Sequence, residues 1–211
     1  MSRIREWILN TTLMKKISCL ILLLAIAFSA DAQTYADSIM QYRKQYIADL
    51  TSDARSPIKP SQVKGLNFFK PDKGFCVWGI FKETPGSAPF MIETHSGKKK
   101  PYKEYGTVTF TVRDTTAILH IYQSMDLIKN VAHKDDLFVP FTDGTTYDFT
   151  YGGGRYLDLS IKDINNNMLL LDFNKCYNPY CAYADGYSCP IPPAENRLQV
   201  SIVAGEKMFM Q

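Results

Sequence analysis

The sequence predicts a mainly β protein: an antiparallel, barrel- or sandwich-like sheet with one N-terminal helix and a long irregular C-terminal loop. From Phe75 onward apolar residues recur with a period of two, in short runs bounded by turn residues. No helical pattern of about 10–15 residues separates those runs, which excludes alternating α/β units. Thirteen Tyr and twelve Phe against two Trp reinforce the strand reading, because aromatic side chains suit pleated surfaces.

The elements follow in chain order. Ile17 to Phe28 is an aliphatic run interrupted by Ser18 and Cys19, with Lys15 and Lys16 ahead of it and Ala30-Asp31-Ala32 behind. A basic flank, a short apolar core and an A-x-A exit predict a signal peptide over 1–32, with 1–13 an N-terminal extension. A spanning helix needs about 20 apolar residues, so no membrane span is expected once the signal is removed. The protein is thus expected to be exported, to the periplasm or beyond it. Residues 33–211 are expected to form a single β-rich domain, of a size suited to one core.

Removing 32 of 211 residues takes away Arg3, Arg5, Lys15 and Lys16 against Glu6 and Asp31. The formal charge falls from +3, on 24 basic and 21 acidic residues, to +1 on 20 and 19. Nucleic acid is therefore not an expected partner. A chain 45% hydrophobic and 21% charged is also not disordered.

Tyr35, Ile39, Tyr42, Tyr46 and Leu50 step by 4, 3, 4 and 4, which traces one face of a helix over 34–50. Arg43, Lys44, Gln45 and Asp49 fall largely off that face. Pro57, Pro60, Gly65, Pro71 and Gly74 then break the chain around Leu66, Phe68 and Phe69, which are expected to plug the core. Phe75–Phe81 is the first strand. Thr107–Val112 and Ala117–Ile121 make the clearest hairpin, turning at Asp114-Thr115. Further strands are expected at Leu137–Phe141, Arg155–Ile161, Met168–Phe173 and Leu198–Val203. Asp143-Gly144, Gly152–Gly154 and Asn165–Asn167 supply turns. Lys98-Lys99-Lys100 reads as a solvated hairpin loop, and His120 as exposed or cross-strand.

Four cysteines remain after signal removal: Cys76, Cys176, Cys181 and Cys189. An even count in an exported chain points to disulfides, with three pairings open. Closing Cys181 to Cys189 would be worth about 2.5 kcal/mol in loop entropy. The x4 and x7 spacings suit no common zinc pair, and His95, His120 and His133 are distant, so no metal is expected. Neither G-x-S-x-G nor H-E-x-x-H occurs, and no cofactor is expected.

The segment from Asp172 to Leu198 is the densest in polar and aromatic residues. Asp172-Phe173-Asn174, Tyr177-Asn178-Pro179, Cys181-Ala182, Cys189-Pro190, Pro192-Pro193, Glu195-Asn196-Arg197-Leu198 and Ala204-Gly205-Glu206 together resemble an uncharacterised family, domain of unknown function 1684. Gly153-Gly154-Arg155-Tyr156 and Gly65-Leu66 with Phe68-Phe69 fit the same pattern. The resemblance covers nearly the whole chain after the signal, and implies no activity. It implies that Cys181 and Cys189 belong to the shared design; a Cys76–Cys176 bridge would then be a local addition.

Arg155, Asp172, Asn174, Tyr177, Asn178, Glu195, Asn196 and Arg197 are the candidate ligand-binding residues. Carboxylates, amides and aromatic faces together suit a small polar ligand, a sugar or a peptide end. The competing expectation is that these groups satisfy backbone donors and acceptors in a loop laid over the core. The leading functional expectation is an extracytoplasmic binding domain. The second is a hydrolase using Asp172 or Glu195; the third is an envelope interaction or structural module.

Overall fold

The computed structural model describes residues 33–52 and 55–210, so the signal read at 1–32 lies outside the described residues. The chain divides into two units, Met1–Ser38 and Ile39–Gln211. In the first, residues 33–38 are helical, with Gln33 Nε2 donating to Asp37 Oδ1 at 2.9 Å. Helix α1 is assigned to residues 33–52. No described helix is long and apolar enough to cross a membrane.

The second unit is built on one curled antiparallel sheet, a half-barrel. Its strands are β1 (Cys76–Glu83), β2 (Phe90–Glu93), β3 (Lys99–Val112), β4 (Thr115–Ser124), β5 (Asp136–Phe141), β6 (Arg155–Ser160) and β7 (Met168–Asp172). The order is β6-β5-β4-β3-β1-β7, with β2 also paired to β3. The mainly β, antiparallel prediction holds. The period of two places Phe81, Val108, Phe110, Leu119, Ile121, Val139 and Leu169 on one face, where Phe173, Ile202 and Ala204 complete the core.

β3 organises the curl. Its start pairs with β2 and its end with β1, while β4 runs along its other side. The β3–β4 register slips between Glu104 and Gly106, and such a bulge bends a strand. Gly106 is required there, because a Cβ would lie 2.5 Å from the Phe81 ring and 2.6 Å from the Lys82 carbonyl. β2 and the first half of β3 go beyond the sequence reading. Pro101 and the lysine run interrupt the alternation, yet Pro101 is accepted opposite Met91 of the short strand β2.

The β3–β4 turn falls one residue earlier than expected. Arg113 and Asp114 have φ of 47° and 63°, and Thr115 already pairs with Val112. A two-residue connection with both residues left-handed matches the twist of the flanking strands, which displaces the turn from Asp114-Thr115.

The expected strand Leu198–Val203 does not join the sheet. Its alternation survives, with Leu198 and Ile202 buried and Val203 exposed. Its backbone is instead held by Thr142 O, which accepts from Leu198 N at 2.8 Å, and by the Arg155 guanidinium, which donates to Ile202 O at 2.8 Å. A side chain takes the Ile202 carbonyl, and the turn at Gly144 takes that of Val200, where a neighbouring strand would take both.

Within α1, Ile39 and Leu50 are buried as expected. Arg43, expected off the face, is buried too: its Nη1 donates to Phe69 O at 2.8 Å and its guanidinium stands 4.8 Å above the Phe68 ring. A long aliphatic stem lets arginine join an apolar face wherever its head finds a carbonyl. Leu66 packs with Leu50, Ile58 and Tyr183 in a second cluster beneath α1, apart from the sheet core.

Candidate functional site

Most of the polar residues of the C-terminal motif hold backbone. Asn174 Oδ1 accepts from Asp72 N at 2.8 Å and its Nδ2 donates to Asp72 O at 2.8 Å, so one amide side chain imitates a ladder partner. Asp172 Oδ1 accepts from Asn174 N at 3.1 Å and caps the turn Phe173–Lys175. Asn196 Oδ1 accepts from His120 N at 2.7 Å; its Nδ2 donates to His120 O and Pro140 O, both at 2.8 Å. It thereby ties β4 to β5, where the strand register is carried by Tyr122 opposite Phe138. Asn178 N donates to Glu206 Oε2 at 2.9 Å and Asn178 Nδ2 to Lys207 O at 2.7 Å.

Arg155 is sealed in the interior. Its Nη2 donates to Asp143 Oδ2 at 2.6 Å, and its Nη1 to Ala204 O and, at 3.2 Å, to Glu206 O. Gly154, at φ 84°, makes the tight turn into it; a Cβ would lie 2.6 Å from Phe141 O. Glu195 is exposed and accepts from the Tyr122 hydroxyl at 2.9 Å. Arg197 is exposed, and its backbone bridges to Thr142. His120 has the cross-strand role expected, its Nδ1 2.6 Å from Glu104 Oε2.

Cys181 and Cys189 form a disulfide, with Cα atoms 6.2 Å apart. The Cys76–Cys176 bridge is not formed. The pleat puts Cys76 on the outward face of β1 with Trp78 and Ile80, whereas Cys176 belongs to the inner core. Burial pushes the Cys176 thiol far above its ordinary value. Among the described residues, no three His, Cys, Asp or Glu side chains gather as a metal site.

On the face of β5 and β6 opposite that core lies a cavity of about 870 Å³. One wall is α1, through Tyr42, Gln45, Tyr46, Asp49 and Leu50, whose spacing of 3, 1, 3 and 1 is a single helical stripe. The floor is a line of rings. Tyr102 and Phe138 stack at 5.7 Å between centroids, Phe138 meets Tyr156 at 4.7 Å, Tyr156 meets Tyr177 at 5.8 Å, and Tyr177 meets Tyr46 at 6.0 Å. The disulfide loop and its flanks supply Tyr180, Tyr187, Cys189 and Pro190 as one further border, and Leu127, Ile128 and His133 after β4 supply another. Tyr156 locks the disulfide loop to the floor, its hydroxyl donating to Pro190 O at 2.5 Å.

The carboxylates of the lining are Asp49, Asp136 and Asp158, and its nitrogen bases are Lys100 and His133. The Tyr177 hydroxyl donates to Asp158 Oδ2 at 2.8 Å. Asp158 can be reached by water, yet protein atoms crowd it at the cavity floor. That desolvation raises its carboxyl to about 6, against the Tyr177 hydrogen bond and with a contribution from Asp136. His133 Nδ1 lies 2.7 Å from Asp136 Oδ2. Desolvation lowers the Lys100 ammonium, and burial raises the Tyr102 and Tyr42 hydroxyls to about 12. Glu206 is fully buried behind the α1 wall and accepts from Tyr183 at 2.7 Å and from Tyr46 at 3.2 Å. Burial lifts its carboxyl to about 7 despite those bonds.

Of the eight candidate residues, Tyr177 lines the cavity and the other seven do not. Lys100, Tyr102, Phe138, Tyr156 and Asp158 are not among the candidate ligand-binding residues read from the sequence. A signal for them existed: on β5 and β6 the positions alternating with the core carry Phe138 and Tyr156, where a solvated face would be polar. Lys100, read as part of a solvated run, stands in the cavity because β3 begins at Lys99.

Residues 61–207 match a family described as protein of unknown function (DUF1684). The fold resembles the solution NMR structure of an uncharacterized protein from Haloarcula marismortui, with a TM-score of 0.64 and 30% sequence identity. That match covers 84% of this chain and 96% of the archaeal one. No curated protein matches.

Proposed function

This chain belongs to the family of proteins of unknown function (DUF1684), and because membership assigns no chemistry, we propose from the cavity that it is an extracytoplasmic binding domain for a small polar ligand of sugar type. The observation that carries the reading is the ring line Tyr102–Phe138–Tyr156–Tyr177–Tyr46 beside the Asp136 and Asp158 carboxylates. Aromatic faces offer apolar area at fixed orientation, while carboxylates accept hydrogen bonds from hydroxyl groups. The volume of about 870 Å³ lies within the range of small-molecule sites, roughly 300–1,000 Å³.

Three carboxylates against one lysine, with no arginine in the lining, disfavour an anionic ligand. A neutral polyol meets no such penalty. The extracytoplasmic part of the proposal rests on the aliphatic run Ile17 to Phe28 between Lys16 and Ala30-Asp31-Ala32.

Thermal unfolding and titration calorimetry of the full chain with glucose, N-acetylglucosamine, cellobiose, maltose, xylobiose and chitobiose test the binding. A saturable rise in Tm with at least one of them is expected. Tyr42→Ala, a change at a partly exposed ring of the wall, should weaken it severalfold. Silence across the panel would overturn the binding reading. Fusing residues 1–40 to a phosphatase that is active only outside the cytoplasm tests export, with activity the expected result.

A further inference from the structure

We propose that the cavity also cleaves the glycoside it binds, with Asp158 as general acid and Asp136 as general base of an inverting hydrolysis. The inference rests on the binding reading above. It is carried by strand register. Asp136 lies opposite Ser160 and Phe138 opposite Asp158, so the two aspartates are diagonal neighbours on one face of the β5–β6 pair. Diagonal residues of antiparallel strands have Cα atoms roughly 7–8 Å apart. Inverting glycosidases hold their carboxyl groups about 6.5–9.5 Å apart to admit a water, and retaining enzymes about 5–5.5 Å.

The pair stands on a prepared surface. Phe138 follows Asp136 by two residues and Tyr156 precedes Asp158 by two, and those rings meet at 4.7 Å between centroids. Asp158 faces Phe138 across the strand pair and Asp136 precedes it along β5, so both carboxyl groups border a sugar ring seated on that step. The environments of the two groups also differ. Tyr177 occupies Asp158 Oδ2, leaving Oδ1 to carry a proton, and crowding at the floor favours the protonated form. Asp136 is about half exposed, which gives it water, and His133 Nδ1 fixes its Oδ2. One carboxyl group that favours its proton beside a second that water reaches is the pattern of an acid and a base.

The step balances without a further reactant. Asp158 gives its proton to the glycosidic oxygen as the bond from that oxygen to the anomeric carbon breaks. A water oxygen bonds to the anomeric carbon from the opposite face, and Asp136 takes the water's proton. The products are a sugar of inverted anomeric configuration and an alcohol. Asp158 is left ionised and Asp136 protonated, and exchange with solvent restores both.

The test uses the full chain and whichever of cellobiose, maltose, xylobiose or chitobiose shows binding, with the anomeric protons followed by NMR. Cleavage to the inverted anomer is expected. Asp158→Asn and Asp136→Asn should each slow it about 100-fold or more, while Kd changes less than about threefold. Azide should restore part of the Asp136→Asn rate by replacing the activated water. Binding without cleavage would overturn the hydrolysis and leave the binding reading intact. Retained configuration, or full activity in either variant, would overturn the assignment of the pair. Binding of a monosaccharide but of no disaccharide would overturn the hydrolysis alone, and failure of every sugar in the panel to bind would overturn both readings together.

Discussion

Arg155 Nη2 donates to Asp143 Oδ2 at 2.6 Å in an ion pair whose side chains are 1% and 0% exposed. The same guanidinium holds the carbonyls of Ile202, Ala204 and Glu206. A residue that sequence reading offers to a ligand is thus committed to fastening the C-terminal segment across the core.

Removing one member of such a pair strands a charge in the interior, which typically costs about 3–5 kcal/mol. Asp143→Ala should lower the unfolding free energy by that amount, read as a lower urea midpoint at an unchanged denaturant slope. A loss below about 1 kcal/mol would show that the fastening is not needed.

Asn196 joins β4 to β5 through three bonds to His120 and Pro140. Asn196→Ala leaves buried backbone groups without partners, and about 1–3 kcal/mol of stability should be lost. Arg197→Ala, an exposed neighbour, should change stability by no more than about 0.5 kcal/mol. Equal effects at both positions would remove the distinction between clamp and surface.

Glu206 gives the fold a pH dependence of definite sign. Burial raises its carboxyl from 4.5 to about 7, so between those values the native state holds a proton that the unfolded chain has released. Its stabilising contribution is complete below about pH 4.5 and is lost as pH rises through about 7. Between pH 5 and pH 8 the unfolding free energy from urea titration should therefore fall by about 2.5 kcal/mol more for the unaltered chain than for Glu206→Gln. Parallel pH profiles would rule out this assignment.

The cysteines divide by accessibility. Replacing both Cys181 and Cys189 by serine should cost about 2–3 kcal/mol, through the entropy of a short loop, and loosen the cavity border that Tyr187 and Pro190 form. Cys176, 1% exposed, should resist alkylation in the native protein and react once the chain is unfolded. Rapid labelling of Cys176 in native buffer would contradict the packing around it.

The strands were legible because a period of two is local. Val108, Phe110 and Val112 against Leu119 and Ile121 announce a hairpin from spacing alone. The missed parts have local causes too. Pro101 concealed the start of β3, and Leu198–Val203 had the alternation of a strand although Arg155 took the place of its neighbour. Tyr177 was the one cavity residue among the candidates, because its neighbours' amides and carboxylates satisfy nearby backbone as readily as a ligand.

Taken alone, the sequence determined a mainly β chain with one N-terminal helix, the family resemblance, and the chemistry concentrated near Asp172 to Leu198. The tertiary structure decided which of that chemistry faces a cavity. Asp136 and Asp158 are 22 positions apart and become diagonal neighbours only through the β5–β6 register. Lys100, Tyr46 and Tyr177 reach the same space from three separate elements. Propensity and periodicity act over a few residues, whereas a site is made where strand pairing, helix packing and a cross-linked loop bring remote side chains together.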